Sequence, residues 1–225
     1  MSYAFMKILE SAPERYDAGI DILTLGRLRH LKQDIVNEFI AKDDRVLELG
    51  CGTGSLTILC AAKEAEVIGI DLSPNMLAIA HRKLRKAGLT EKIKLVKMSA
   101  MDMDTTFDDN SFNVITSTLV FSEMSREEIR YVLNQCHRVL KTNGSLLIAD
   151  EIVPQNPFAK FLLFLLRLPF IVIAYIFTQT TTRAVASLDE ELRQAGFNII
   201  KTKSYLLGTM RLFQARKTIY NDRLY

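Results

Sequence analysis

The sequence predicts an α/β fold in which a mostly parallel seven-stranded sheet carries helices on both faces. Apolar stretches and amphipathic helical stretches alternate between residues 45 and 152, which is typical of parallel strands joined by right-handed crossover helices. A glycine-rich turn follows the first apolar stretch directly. Two further predicted strands, at 198–206 and 209–215, flank Gly208 as a hairpin and supply an antiparallel C-terminal strand at one edge of the sheet.

Length and composition favour one domain over residues 1–225, with an N-terminal helical cap at 1–41 and an apolar helical insert at 154–182 after the fifth strand. The apolar fraction of 48% and the charged fraction of 24% exclude a disordered chain. A net charge of +3 is far from the footprint of a nucleic-acid-binding protein. We therefore expect no nucleic-acid partner.

The three cysteines, Cys51, Cys60 and Cys136, predict neither a metal site nor a disulfide framework. They lack the spacing of metal ligands, and their odd number argues against paired bridges. The sequence does not open with a basic and then apolar leader, so secretion is not supported. We predict no metal and a cytoplasmic location.

Residues 45–54 combine a buried strand with a ligand-binding turn. Gly50, Gly52 and Gly54 lack a Cβ atom, so backbone N–H groups at the start of the following helix, 55–62, can approach a polar or anionic group. The spacing departs from the dinucleotide fingerprint at Ser55, which disfavours a nicotinamide cofactor. Glu48 lies inside the strand, where a carboxylate meets an amine better than a pyrophosphate.

The stretch from Val46 to Gly54 resembles motif I of the class I S-adenosylmethionine-dependent methyltransferases. This resemblance implies an enzyme with a Rossmann-like class I methyltransferase fold and S-adenosylmethionine as cofactor. In that family the acidic and glycine positions hold the methionine part of the cofactor. The residues predicted to bind it are Glu48, Gly50, Cys51, Gly52, Thr53, Gly54, Asp71, Leu72, Met76, Ser99, Ala100, Met101, Thr116 and Tyr16.

The second predicted strand, 66–71, ends in a carboxylate. Asp71 can accept both hydroxyls of a ribose, a geometry that nicotinamide enzymes share, or it can be an ordinary capping or solvated residue. Ser73 and Pro74 then predict a helix start, and Gly88 predicts its end. The basic residues at 81–86 are interpreted as the solvated face of this helix.

After the third strand, 93–96, we expect the stretch 99–102 to approach the adenine. Many relatives place an aspartate where Ser99 stands, so backbone groups of Ala100 and Met101 are the alternative contacts. The aspartates at 102–109 lack the regular spacing and the glycine of a calcium loop, and a solvated turn is the simpler interpretation.

Two residues are weak candidates for a catalytic base, and no catalytic residue is identified. Tyr16 belongs to a Tyr-Asp pair that folds over the cofactor in the family, although Tyr16 and Asp17 can equally form a surface turn. Glu123 follows the fourth strand, at the edge where substrates bind in open parallel sheets, but it can also cap the next helix. That helix starts in a capping box of Ser125 and Glu128.

Three more local features are predicted. A helix of roughly 14 residues precedes the first strand, because Leu28, Leu31 and Ile35 recur at helical spacing. A turn at 143–144 leads into the fifth strand, 145–152. A second capping box starts at Ser187.

The stretch 158–177 is strongly apolar but is broken by Lys160, Arg167 and Pro169. A membrane span is excluded because strands before and after it must pair in one sheet, and each half is too short to cross a bilayer. It can be an interfacial helix pair on a membrane surface, a lid over the substrate, a homodimer interface or a buried hairpin. A lid that dips into lipid would place the enzyme at the inner face of the cell membrane.

The overall plan resembles the UbiE-like quinone-biosynthesis methyltransferases, which implies a small hydrophobic acceptor that is quinone-like or lipid-like. The stretch 6–17 and the apolar insert resemble corrinoid protein-associated methyltransferases, which implies a corrinoid protein as an alternative partner. A further alternative is a non-catalytic module that binds S-adenosylmethionine or S-adenosylhomocysteine and docks a protein.

Overall fold

A computed structural model describes residues 13–152 and 187–218. The first part of the predicted cap, residues 1–12, lies outside this description. The predicted insert at 154–182, with its apolar stretch 158–177, also lies outside the described residues.

The described residues form a seven-stranded sheet with the order β3-β2-β1-β4-β5-β7-β6. Strands β1 to β5 run parallel, whereas β7 is antiparallel to both of its neighbours, β5 and β6. This arrangement confirms the predicted fold class. The strands are β1 Arg45–Leu49, β2 Glu66–Asp71, β3 Ile93–Lys97, β4 Phe112–Thr118, β5 Leu140–Glu151, β6 Phe197–Tyr205 and β7 Met210–Lys217.

Helices cover both faces of the sheet, and each face has its own core. One core contains buried residues of α1, α2 and α3, and the other contains those of α6 and α7. The central strands β1, β4 and β5 contribute apolar side chains to both cores, so burying both faces requires helices on both sides. The helices are α1 Tyr16–Leu23, α2 Arg27–Phe39, α3 Ser55–Ala62, α4 Pro74–Ala87, α5 Met103–Thr106, α6 Arg126–Val139 and α7 Leu188–Gln194.

The predicted ends of α4 and α6 are confirmed. The Ser73 hydroxyl accepts a hydrogen bond from the Met76 N–H at 3.3 Å, and Gly88 ends α4 in the left-handed conformation. At the start of α6, Ser125 and Glu128 exchange both bonds of a capping box. These local bonds satisfy N–H groups that have no partner inside the helix.

Two local predictions were wrong. Strand β5 begins at Leu140, directly after α6, and runs through the predicted turn at 143–144. The pairing with β4 is irregular there, and a Cβ atom on Gly144 would lie 2.8 Å from the Asn113 carbonyl oxygen. This glycine therefore allows close packing rather than a turn. Ser187 precedes α7 in the left-handed conformation, and its side chain makes no capping bond.

Candidate cofactor and substrate site

A cavity of about 280 Å³ opens at the carboxyl ends of β1, β2 and β4. Strand order reverses between β1 and β4, which is where open parallel sheets bind ligands. Its lining residues are Tyr16, Gly50, Gly52, Ile70, Asp71, Leu72, Ser73, Met76, Met98, Ser99, Ala100, Thr118, Leu119, Val120, Glu123 and Met124.

The glycine turn after β1 requires its glycines. Gly50, Gly52 and Gly54 have φ angles of +63°, +53° and +75°, a region that other residues rarely adopt. A Cβ atom on Gly50 would lie 2.3 Å from Cγ2 of Val120, whereas one on Gly52 would meet nothing within 4 Å. The turn is therefore pressed against the loop after β4 at Gly50 and is open at Gly52.

Asp71 is held from two sides by backbone donors at the end of β2. Its Oδ2 accepts a hydrogen bond from the Gly52 N–H at 2.7 Å, and its Oδ1 accepts one from the Ser73 N–H at 2.8 Å. The carboxylate therefore joins the glycine turn to the start of α4 while it lines the cavity. Asp71 supports the local structure and also faces the ligand space.

Glu48 lies beneath the glycine turn and is almost fully buried, with 3% of its surface exposed. Burial raises its pKa to about 7, although a hydrogen bond from the Thr57 hydroxyl and the charge of Lys32 oppose the shift. Glu48 lines a smaller cavity of about 30 Å³ that shares Tyr16, Gly50, Gly52, Thr118 and Leu119 with the larger one. A carboxylate in this position can attract a cationic group of a bound molecule.

Helix α1 is attached to the glycine turn by hydrogen bonds that Asp17 accepts. Its Oδ1 accepts hydrogen bonds from the hydroxyls of Thr53 at 2.7 Å and Ser55 at 3.1 Å, and its Oδ2 pairs with the Lys83 ammonium. Burial raises the pKa of Asp17, but the bonds from Lys83 and Thr53 outweigh it and hold the pKa below its usual value. Lys83 was predicted as a solvated residue, and the structure instead gives it this contact.

Asp150, at the end of β5, organises the loop after β4. It is fully buried, and its Oδ2 accepts hydrogen bonds from the backbone N–H groups of Phe121 at 2.8 Å and Ser122 at 3.2 Å. Burial raises its pKa to about 6. This loop carries Val120 and Glu123 into the cavity wall, so Asp150 positions the wall without lining it.

The structure places most of the predicted residues at one of the two cavities. The larger cavity is lined by Tyr16, Gly50, Gly52, Asp71, Leu72, Met76, Ser99, Ala100 and Glu123, and the smaller one adds Glu48, Cys51 and Thr53. Gly54, Met101 and Thr116 line neither cavity. Gly54 closes the turn, since its N–H donates to the Cys51 carbonyl oxygen at 2.9 Å.

Two of the predicted ligands, Ser99 and Cys51, have side chains that are already bonded or buried within the protein. The Ser99 hydroxyl accepts a hydrogen bond from the Met101 N–H at 3.1 Å and so caps the short 3₁₀ helix Ala100–Asp102. The Cys51 side chain is buried, and this burial raises the pKa of its thiol. Cys51 is therefore a neutral thiol at ordinary pH rather than a nucleophile.

The sequence predicted that the turn after β4 faces the substrate, but it did not single out Thr118, Leu119 and Val120, which line the larger cavity. Thr118 lines both cavities, and its buried hydroxyl has no hydrogen-bond partner among the residues that the structure describes. Leu119 adopts a φ of +63°, which is unusual for a branched residue. Sequence reasoning also missed Lys32, whose signal was a lysine inside the apolar stripe of α2.

Two further findings concern only residues 13–152 and 187–218. No group of three or more His, Cys, Asp and Glu side chains there is arranged to hold a metal ion. None of the helices in these two ranges has the length and apolar character needed to span a bilayer.

The site fits S-adenosylmethionine. A buried carboxylate lies below the glycine turn, a second carboxylate closes β2, and an open surface at Gly52 leaves room for a ligand. Residues 46–144 match a family described as "Methyltransferase domain". The chain belongs to the class I S-adenosylmethionine-dependent methyltransferases.

Comparison with known proteins gives several relatives within this class. A demethylmenaquinone methyltransferase of Symbiobacterium thermophilum is 26% identical over 233 residues, which cover 94% of this chain and 91% of that protein. One from Lactiplantibacillus plantarum is 31% identical over 157 residues, 68% of this chain and 65% of that protein. A S-adenosylmethionine-dependent methyltransferase structure from Aquifex aeolicus has a TM-score of 0.61 at 19% identity, covering 83% and 89% of the two chains.

Proposed function

We propose that the protein transfers a methyl group from S-adenosylmethionine to a ring carbon of a hydrophobic quinone-type acceptor. The observation that supports this class of acceptor is the apolar wall of the larger cavity. The loop that follows β4, residues 119–124 (the β4 loop), contributes Leu119, Val120 and Met124 to this wall. Leu72 stands at the same cavity with 66% of its surface exposed. The resemblance to demethylmenaquinone methyltransferases over most of the chain supports the same choice.

Within this proposal, the residues of the first two strands hold the methyl donor. Glu48 attracts the amino group, the glycine turn lies against the methionine part, and Asp71 accepts hydrogen bonds from the ribose hydroxyls. Ser99 and Ala100 border the adenine space, and Met76 and Leu72 supply apolar contact. Three predicted ligands line neither cavity: Gly54, Met101 and Thr116. We propose that they contact the methyl donor through backbone atoms or position the residues that do.

The donor supplies an electrophilic methyl group on a sulfonium, so the main tasks of the protein are positioning and exclusion of water. Holding two reactants in a reactive geometry can lower a barrier by ~7–11 kcal/mol. The β4 loop, fixed by Asp150, is the element that sets the acceptor against the donor. Tyr16 and Glu123 both line the cavity and are the candidates for accepting the proton of a quinol hydroxyl or ring carbon.

The test is a transfer assay with radiolabelled S-adenosylmethionine and a reduced, demethylated naphthoquinone that carries a short prenyl chain. We expect label in the quinone, and none when the same ring is already methylated at the reacting carbon. Asp71→Asn should lower kcat/KM by roughly tenfold or more, because a binding partner of the donor is weakened. Glu190→Gln, an exposed change on α7, should leave the rate unchanged.

Binding of donor without transfer to any lipophilic acceptor would contradict the proposal and favour the non-catalytic module. Transfer to polar acceptors alone would reject the quinone class. The corrinoid protein, the membrane surface and the homodimer were predicted mainly from residues outside the described ranges. These three partners and the cytoplasmic location stay predictions.

A further inference from the structure

The smaller cavity beneath the glycine turn combines two opposite charges from two neighbouring elements, α2 and β1. Glu48 of β1 and Lys32 of α2 both line it, together with Gly50 and Gly52. Lys32 stands one helical turn after Leu28 and therefore within the buried stripe of α2. A lysine seldom occupies such a stripe unless its ammonium has a partner.

Within residues 13–152 and 187–218, the Lys32 ammonium has no hydrogen bond and no ion pair at contact distance. Burial lowers its pKa, while attraction to Glu48 and Asp17 opposes that change. Both carboxylates already have closer partners, since Thr57 donates to Glu48 and Lys83 pairs with Asp17. The N–H groups of the Lys32 ammonium are therefore available to hydrogen-bond a ligand in the cavity.

We propose that Lys32 is a specificity residue that binds the α-carboxylate of the methyl donor. This inference rests on the donor half of the proposed function and is independent of the acceptor. An α-amino acid carries an ammonium and a carboxylate on one carbon atom. Glu48 and Lys32 line the same cavity and offer opposite charges to these two groups.

The arrangement also predicts discrimination between donors. A donor without the carboxylate would leave the Lys32 ammonium unpaired in a small, largely enclosed space, and burying an unpaired charge is unfavourable. Sites built around a polar group reject ligands that lack its partner more strongly than apolar pockets reject a missing methylene. Decarboxylated S-adenosylmethionine is thus the informative probe.

The experiment is calorimetric titration of the full chain with S-adenosylmethionine and with its decarboxylated form. We expect the wild type to prefer S-adenosylmethionine by about 10- to 100-fold. Lys32→Met should remove this preference by weakening only the carboxylate-bearing donor, and Lys32→Arg should restore part of it. Arg27→Met removes an exposed charge from the same helix and should preserve the preference.

Two outcomes would overturn the assignment. Equal weakening of both donors by Lys32→Met would show that the lysine acts through the packing of α2, and thermal melting without ligand would reveal the same defect. An unchanged preference in Lys32→Met would show that Lys32 does not contact the carboxylate. A wild type that binds neither donor would refute the methyltransferase function itself, whereas failure of the quinone acceptor alone would leave the Lys32 result unaffected.

Discussion

At the scale of single residues, the site contains a carboxyl group whose environment disfavours its charge. Glu48 is buried between β1 and α3, and its pKa rises from the usual 4.5 to about 7. Lys32 and the Thr57 hydroxyl favour the ionised form, whereas burial and Asp71 oppose it. A bound cation would favour the ionised form of Glu48. Glu48 therefore lowers the stability of the ligand-free protein but is placed to stabilise the complex with a cationic ligand.

The Glu48→Gln variant tests this conflict between stability and binding. Between pH 4.5 and about 7 the unfolded chain loses the Glu48 proton while the folded chain keeps it. The contribution of Glu48 to the unfolding free energy therefore falls as pH rises through this window, by up to about 3 kcal/mol. Asp150, whose pKa burial raises to about 6, adds a fall of its own. Glu48→Gln should lack the Glu48 part and so show a shallower fall than the wild type, and it should bind S-adenosylmethionine at least tenfold more weakly.

Chemical denaturation across this pH range and calorimetry with the donor provide the two measurements. Glu66→Gln, an exposed change at the start of β2, is the matched control and should keep the wild-type slope. If the slope in Glu48→Gln equals that of the wild type, the assigned pKa of Glu48 is refuted.

At the scale of elements, helix α1 lies next to the glycine turn and is attached to it through the Asp17 carboxylate. Asp17 connects α1 to Thr53 and Ser55 at the start of α3, and Lys83 of α4 completes the contact. A carboxylate near a helix N-terminus is also favoured by the helix dipole. Three elements thus meet at one carboxylate beside the glycine turn.

The Asp17→Asn variant should loosen α1 without unfolding the sheet. We expect faster amide hydrogen exchange across Tyr16–Leu23 and a roughly threefold to tenfold loss in donor affinity, because the ion pair is partly exposed and its loss is modest. Asp21→Asn is the control, since Asp21 pairs with Arg29 of α2 rather than with the glycine turn. Equal effects of both changes would mean that the contact with the turn has no special role.

At the scale of the whole molecule, one buried acid links helix α7 to helix α6. The Glu191 side chain is 1% exposed and accepts hydrogen bonds from Nε of Arg126 at 2.5 Å and Nε of Arg130 at 2.7 Å. These bonds, chiefly the one from Arg130, outweigh burial and hold the pKa of Glu191 below its usual value. This cluster of Glu191, Arg126 and Arg130 (the Glu191 clamp) joins α7, and with it the β6–β7 hairpin, to α6.

The Glu191→Ala variant should lower the stability of the entire domain. Removing a buried acceptor from two guanidinium groups that are about half exposed costs about 1–3 kcal/mol. For a chain of this size, each kcal/mol lowers Tm by roughly 2–4 °C. Glu190→Ala on the exposed side of α7 should leave Tm within about a degree, and a similar fall in both variants would reject the clamp.

Prediction from sequence succeeded where the signal is local or periodic. The strand bounds around the glycine turn, the caps at Ser73 and Ser125 and the C-terminal hairpin all follow from short-range patterns. The irregular start of β5 depends on packing against Asn113, which no local pattern reveals. The role of Asp17 likewise depends on partners that lie 36 to 66 positions away.

The close approach of Gly50 and Val120 means that the turn proposed to bind the donor and the loop proposed to face the acceptor share one boundary. In protein engineering, a β4 loop transplanted from a relative to change acceptor preference would bring a new neighbour to Gly50. Acceptor range and donor affinity would then change together. Redesign of this enzyme should therefore treat the two loops as a single module and select for both properties in the same screen.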